Sequence, residues 1–80
     1  MKRIKIQYYA LLREERGLSE ETIVTPAGTA RELYQELKKK YQFKLAEDVL
    51  RVAINNHFAH WSDPLNSDDE VIFIPPVAGG

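Results

Sequence analysis

Hydrophobic and polar residues alternate at the start of the chain. Between Arg3 and Tyr9, the side chains of Ile4, Ile6 and Tyr8 fall on one face of an extended segment, and polar residues separate them. A period of two is typical of a β-strand with one buried face. The pattern therefore predicts a first strand whose buried face carries these three residues, with Tyr9 on the opposite face.

A second strand is predicted from Glu21 to Thr25, where four β-branched residues follow one another. It would pair with the first strand as a hairpin, and the segment Pro26-Ala27-Gly28 would end it. The residues between the two strands, 10–19, mix leucines with charges and predict a turn of helix or a loop.

The clearest signal for a helix begins at Thr29. Thr29 and Glu32 fit a capping box, in which the two side chains bond backbone N–H groups at the helix start. Leu33, Leu37 and Tyr41 then recur every four residues and, with Ala30 and Tyr34 beside them, form one apolar stripe. The stripe predicts a helix that packs on one face of a sheet.

Three further strands are predicted after a connector over 42–50. They cover 51–55, 58–61 and 70–74, with a turn at Asn56-His57 between the first two. The order is therefore β-β-α-β-β-β, and the first and last strands, which are the most apolar, are expected side by side in the middle. This order fits the β-grasp architecture: an α+β fold with a mixed sheet of four to five strands and one main helix packed on one face.

Length and composition limit the classes of function. Eighty residues make one domain with a modest core, and the absence of cysteine excludes disulfides, thiol nucleophiles and most zinc sites. The sequence has no glycine-rich phosphate loop and no evident pair of nucleophile and base. His57 and His60 would lie on opposite faces of a strand, which is a poor geometry for one metal ion. We therefore expect no metal site, no bound cofactor and no catalysis by side chains.

Charge and hydropathy predict the cellular location of the protein and the kind of partner that it binds. No stretch is long enough to span a membrane and the N-terminus has no secretory signal, so the sequence predicts a cytoplasmic location without membrane contact. All 11 Lys and Arg lie in residues 1–51, whereas residues 52–80 carry four acidic side chains and no Lys or Arg. An acidic C-terminal part predicts a basic protein partner and argues against nucleic acid, whose phosphates it would repel.

The last six residues carry the most specific signal. Pro75 and Pro76 should end the final strand, because proline has no N–H for a sheet ladder, and they favour an extended backbone. The segment Val77-Ala78-Gly79-Gly80 follows, and its glycines, which lack a Cβ, can enter a narrow channel. From Pro75 to the terminus the chain can reach roughly 20 Å. The sequence predicts a domain over 1–74 and a tail over 75–80 that presents the terminal carboxylate to another protein's active site.

Four segments together carry a resemblance to a known family: Val52-Ala53-Ile54-Asn55, Asp63-Pro64-Leu65, Asp69-Glu70-Val71 and Ile74-Pro75-Pro76-Val77-Ala78-Gly79-Gly80. They resemble the small, sulfur-carrier subunit of molybdopterin synthase, a ubiquitin-like β-grasp family. The resemblance implies that a ubiquitin-activating-type adenylyltransferase, using ATP and magnesium, adenylates the carboxylate of Gly80. A sulfur donor protein then converts it to a thiocarboxylate. The large synthase subunit finally receives the tail and passes the sulfur to cyclic pyranopterin monophosphate.

Three other functions stay open at this point. The sulfur carrier of thiamine synthesis also ends in two glycines, and a ubiquitin-like protein modifier needs the same terminal residue. A non-carrier β-grasp interaction domain would bind through its sheet and would not use its terminus.

A surface for partners is also predicted beside the tail root. Tyr9 and Ile74 should face away from the helix, and Phe58 lies near a turn. If the first and last strands are neighbours, these three residues would form an exposed apolar patch, and such patches commonly mark interfaces. The alternative for Phe58 is a place in the core.

Overall fold

The computed structural model describes residues 1–76, and the structural statements below concern that part of the chain. Its elements in chain order are β1 (Lys2–Tyr8), α1 (Ala10–Arg16), β2 (Glu20–Thr25), α2 (Ala30–Tyr41), a 3₁₀ turn (Glu47–Val49), β3 (Arg51–Ile54), β4 (His57–Ala59) and β5 (Glu70–Ile74).

The five strands form one mixed sheet in the order β2-β1-β5-β3-β4. The first and last strands, β1 and β5, are parallel neighbours at its centre, and the other neighbouring strands pair antiparallel. The predicted β-grasp fold is confirmed, including the central position of these two strands. The predicted tail follows β5, so its first residues continue from a strand in the middle of the sheet.

Helix α2 covers one face of this sheet through the predicted stripe. Ala30, Leu33, Tyr34 and Leu37 are buried, and they pack against the inward side chains of the central strands. The helix start is capped as the sequence predicts, since the Glu32 N–H donates to Thr29 Oγ1 (3.2 Å). The Glu32 carboxylate reaches back one residue further than in the usual capping box and accepts from the Gly28 N–H (2.6 Å). Each large side chain buried in this layer contributes about 1.5–3 kcal/mol to stability.

Several strand boundaries differ from the sequence prediction: β1 ends at Tyr8 rather than at Tyr9, β4 ends at Ala59 rather than at residue 61, and the turn before β4 is shifted. The turn between β3 and β4 is Asn55-Asn56, because both residues take positive φ (53° and 70°), so β3 ends at Ile54 and His57 begins β4. Such paired positive φ values suit a two-residue hairpin, whose twist matches that of the strands. The predicted turn at Asn56-His57 was therefore placed one residue too late.

The segment after β1 is more ordered than predicted, because residues 10–16 form the helix α1. Gly17 ends it in the left-handed conformation (φ 81°) and its N–H donates to the carbonyl of Arg13 (2.9 Å). Only Leu12 of its seven residues is buried. Within residues 1–76, neither helix has the length and apolarity needed to cross a bilayer.

Candidate functional site: the root of the C-terminal tail

Strand β5 ends at Ile74, directly before the two prolines, as the missing N–H of proline requires. Its side chains alternate: Val71 and Phe73 are buried against α2, whereas Ile72 and Ile74 point to the opposite face. Residues 77–80, which include the predicted reacting end Gly80 and the tail residues Val77, Ala78 and Gly79, lie outside the described part of the chain. The structure thus defines the root of the tail.

An open groove of about 670 Å³ lies beside this root, and it is called the root groove below. Three parts of the chain meet there: the end of β1 with α1, the connector after α2, and the end of β5. The lining residues are Tyr9, Ala10, Leu11, Arg13, Glu14, Leu45, Ile74, Pro75 and Pro76.

The position of α1 on one side of the groove is set by a partly buried ion pair. The Arg16 guanidinium donates twice to the Glu21 carboxylate of β2, from Nε and from Nη2, each at 2.8 Å. Glu21 also accepts from the Tyr8 hydroxyl (2.6 Å), and Arg16 lies 4.0 Å from the centroid of the Tyr41 ring. These contacts hold the far end of α1 against β1, β2 and α2.

The ionisation of this cluster follows from its contacts. The hydrogen bonds from Arg16 hold the pKa of the Glu21 carboxyl below its usual range, against the opposing effect of partial burial. Burial, followed by the hydrogen bond to Glu21, raises the pKa of the Tyr8 phenol well above its usual value. At neutral pH the cluster is therefore a carboxylate held between a neutral phenol and a guanidinium.

The other side of the groove is fixed through the core. The Tyr34 hydroxyl donates to the backbone carbonyl of Leu45 (2.6 Å), and burial raises the pKa of Tyr34 to about 12. The Lys44 N–H donates to Glu15 Oε1 of α1 (3.4 Å), which links the connector to the helix across from it. Both sides are thus tied to the rest of the domain, and the groove is a preformed feature.

The turn from β1 into α1 is strained at Ala10, which has a φ of 50°. A non-glycine residue in the left-handed region costs about 1–2 kcal/mol, since its Cβ approaches the carbonyl oxygen. No side chain caps the start of α1 either, since Tyr9 occupies the N-cap position. Ala10 also lines the root groove, so the strained turn forms part of its wall.

The open face of the sheet carries a second apolar surface. Cross-strand pairing places Ile72 beside Ala53, and Ala53 beside Phe58. Phe58 is 74% exposed, which excludes the core alternative for this residue. The three form one row across β5, β3 and β4, and Ile74 follows Ile72 on the same face of β5.

The structure brings the predicted patch residues together only in part. Tyr9 and Ile74 line the root groove, whereas Phe58 lies two strands away from β5 on the open face. Tyr9 and Phe58 are exposed, as the sequence predicts, whereas Ile74 is only partly exposed. The role of the three residues in binding partners stays a prediction. Sequence reasoning missed Leu11, Leu45 and Ile72, because no local pattern marks residues that meet only after folding.

In the folded domain, basic side chains of β1 lie next to acidic side chains of the C-terminal part. Asp68 pairs with Arg3 (3.1 Å), and Glu70 lies 3.5 Å from the amino group of Lys5. Both basic residues come from β1, which is adjacent to β5. The uneven charge along the sequence therefore does not produce an isolated acidic surface at these residues.

Within residues 1–76, the surroundings of His57 and His60 differ from those of a metal centre. Across residues 1–76, no group of three or more His, Asp or Glu side chains is arranged to hold a metal ion. The His60 backbone N–H donates to the Asp63 carboxylate (3.1 Å), which closes a turn.

Comparisons with known proteins point to one family. The profile of the ThiS family matches residues 6–80. The chain is 30% identical to the molybdopterin synthase sulfur carrier subunit of Escherichia coli, with 96% of this chain and 99% of that protein covered. A solved structure assigned as molybdopterin converting factor subunit 1 of Pyrococcus furiosus superposes with a TM-score of 0.78 at 31% identity, covering 96% of this chain and all of the other.

A third match is part of an assembly. In a solved complex of subunits 1 and 2 of the molybdopterin-converting factor of Helicobacter pylori, the matching chain has a TM-score of 0.67 and 25% identity, with 98% of this chain and 99% of that one covered. All of these matches agree with the resemblance carried by the C-terminal residues.

Proposed function

This chain belongs to the ThiS family, and on that premise we propose that it is the sulfur carrier of molybdopterin synthase, with Gly80 as the residue that carries the sulfur. The observation that carries the proposal is the agreement of two independent features. The near full-length relatives are sulfur-carrier and converting-factor subunits, and the tail root leaves the centre of the sheet through Pro75 and Pro76.

The chemistry follows from what a carboxylate can do. A carboxylate is a poor electrophile, so a ubiquitin-activating-type adenylyltransferase would first join the Gly80 carboxylate to AMP, releasing pyrophosphate from ATP with magnesium bound in that enzyme. A sulfur donor protein then delivers sulfur at the oxidation level of sulfide: the sulfur bonds to the acyl carbon, the bond to AMP breaks, and the product is a thiocarboxylate. With no cysteine of its own, the carrier has no thiol side chain to compete for the activated acyl group.

The loaded tail would then enter the large subunit of molybdopterin synthase. There the thiocarboxylate sulfur bonds to cyclic pyranopterin monophosphate, and water then hydrolyses the bond between the acyl carbon and the sulfur. Gly80 returns as a carboxylate, and two such transfers build the dithiolene. In this proposal the chain is a non-catalytic subunit: the large subunit and the adenylyltransferase supply the reacting side chains, ATP and magnesium. The folded domain supplies recognition, and the prolines limit the freedom of the tail before it binds.

A reconstitution with purified proteins tests the proposal. The chain is incubated with the adenylyltransferase, ATP, magnesium and a sulfur donor, and then with the large subunit and cyclic pyranopterin monophosphate. We expect molybdopterin from the full chain, and none from a variant without Gly80 or from one with a residue added after it. Both variants should keep the circular dichroism spectrum of the full chain, because the change lies outside the folded domain.

Molybdopterin synthesis by either variant would rule out the terminus as the reacting group. Transfer of sulfur only to a thiazole-forming enzyme of thiamine synthesis, or conjugation of Gly80 to lysines without sulfur transfer, would favour one of the alternative functions.

A further inference from the structure

We propose that the root groove receives an apolar side chain of the large synthase subunit, and that α1 is the part of this chain that selects it. The proposal rests on the proposed function, because it concerns the partner that takes up the tail. In this proposal the large subunit contacts α1 as well as the exposed face of the sheet.

The length of the tail places the groove in the interface. Four residues separate Pro76 from Gly80, so the terminal residue can lie at most about 14 Å from Pro76. A partner that encloses the terminal carboxylate in an active site must therefore bring the mouth of that site close to the tail root. Since Pro75 and Pro76 line the root groove, the surface around the mouth has to cover it.

The chemistry of the groove indicates what fits in it. Leu11, Leu45 and Ile74 present apolar surface that is not covered by any other part of residues 1–76. Arg13 and Glu14 add one charge of each sign on the α1 side, and neither forms an ion pair within the described chain. An apolar centre with a polar edge is typical of protein interfaces, and apolar character is strongest in permanent assemblies. A chain similar to this one forms a solved complex with subunit 2 of the molybdopterin-converting factor of Helicobacter pylori, and this favours the large subunit as the partner that covers the groove.

The structure of α1 is also better explained by a role in binding a partner than by a contribution to the stability of the domain. A helix of seven residues is too short to be stable alone. It is held by Leu12 in the core, by the Arg16–Glu21 pair and by Gly17 at its end, while its first residue stays in a strained conformation. These contacts leave Leu11 38% exposed at the groove, although the neighbouring Leu12 is fully buried. Strained backbone that the surrounding structure maintains is common at binding sites.

The test compares two leucines of similar exposure. Leu11 lines the groove, whereas Leu18, which is 41% exposed, lies after α1 and outside it. Leu11→Asp and Leu18→Asp each place a charge on the surface, and titration calorimetry with the purified large subunit measures the dissociation constant. We expect Leu11→Asp to raise the dissociation constant at least tenfold, because an unpaired charge would be desolvated in the interface. Leu18→Asp should change it by less than about twofold.

A milder variant separates a loss of binding from a loss of folding. Leu11→Ala removes the apolar contact without adding a charge, and we expect the dissociation constant to rise roughly three- to tenfold while the melting temperature stays within a few degrees. Equal affinities for the Leu11 and Leu18 variants would overturn the proposal and leave the proposed function intact.

Two further outcomes would also overturn it. If the Leu11 variants slow adenylation by the activating enzyme but bind the large subunit normally, the occupant is assigned to the wrong partner. If the unaltered chain does not bind the large subunit, the proposed function fails together with this inference.

Discussion

Replacing Glu21 with glutamine should loosen α1 and destabilise the whole domain. The Glu21 carboxylate accepts two hydrogen bonds from Arg16 at 2.8 Å and one from Tyr8 at 2.6 Å. Glutamine has a single acceptor oxygen, so at least one of the bonds from Arg16 is lost, and the guanidinium is left without its counter-charge.

The expected loss follows from the burial of the pair. A hydrogen bond to a charged group contributes about 1.5–3 kcal/mol, and breaking a fully buried ion pair costs about 3–5 kcal/mol. The side chains of Arg16 and Glu21 are 22% and 13% exposed, so solvent partly screens the attraction between their charges. We therefore expect Glu21→Gln to lower the free energy of unfolding by about 2–3 kcal/mol.

A second glutamate gives a matched control. Glu47 also accepts from an arginine, Arg31, at 2.6 Å, but that arginine side chain is 53% exposed. Exposed pairs contribute about 0–1 kcal/mol, so Glu47→Gln should have a small effect. Urea unfolding followed by circular dichroism gives both values, and hydrogen exchange should show faster opening of α1 in Glu21→Gln alone. Equal losses in the two variants would refute the role assigned to the Arg16–Glu21 pair.

The same pair predicts a dependence on pH. Because the folded state lowers the pKa of Glu21, its contribution is present above the unfolded-state pKa of about 4.3 and is lost as the pH falls from there through the folded-state pKa. The stability difference between the unaltered chain and Glu21→Gln should therefore be largest near neutral pH and narrow in acid. A difference that does not change between neutral pH and acid would contradict this reasoning.

Two further predictions concern the sheet face and the strained turn. Ile74→Asp should weaken binding to the large subunit and to the adenylyltransferase by about 2–5 kcal/mol without unfolding the domain. Val24 is exposed on an edge strand, so Val24→Asp should leave binding unchanged. If circular dichroism shows that Ile74→Asp is unfolded, Ile74 belongs to the core. Ala10→Gly removes the strain of a positive φ, so it should leave the free energy of unfolding unchanged or raise it by up to about 1 kcal/mol. Ala46 has an ordinary φ of −79°, and Ala46→Gly should lower the free energy of unfolding by about 0.4–1 kcal/mol. Urea unfolding measures both values, and equal losses would refute the strain at Ala10.

The parts of the fold that were predictable from sequence are those with a strong local period. Alternation from Ile4 to Tyr8 fixed the buried face of β1, and the stripe after Thr29 fixed α2 and its cap. The final strand and its end at Ile74 followed from the apolar run and the two prolines.

Helix α1 and the root groove could not be predicted in the same way. A single buried residue, Leu12, gives α1 no visible period, and Tyr9 at the N-cap gives no capping signal. The groove joins residues from three distant parts of the chain, represented by Leu11, Leu45 and Ile74. Only the tertiary arrangement brings them together, and the same holds for the row of Ile72, Ala53 and Phe58, which depends on the pairing register.

The intact mass of the C-terminal peptide, isolated from native cells under conditions that preserve thioacids, tests the central claim most directly. We predict a fraction of the peptide ending at Gly80 whose mass is increased by the difference between one sulfur and one oxygen atom. This fraction should disappear in cells that lack the adenylyltransferase. A peptide that carries only the ordinary carboxylate, in cells that are actively making molybdopterin, would contradict the assignment of this chain as a sulfur carrier.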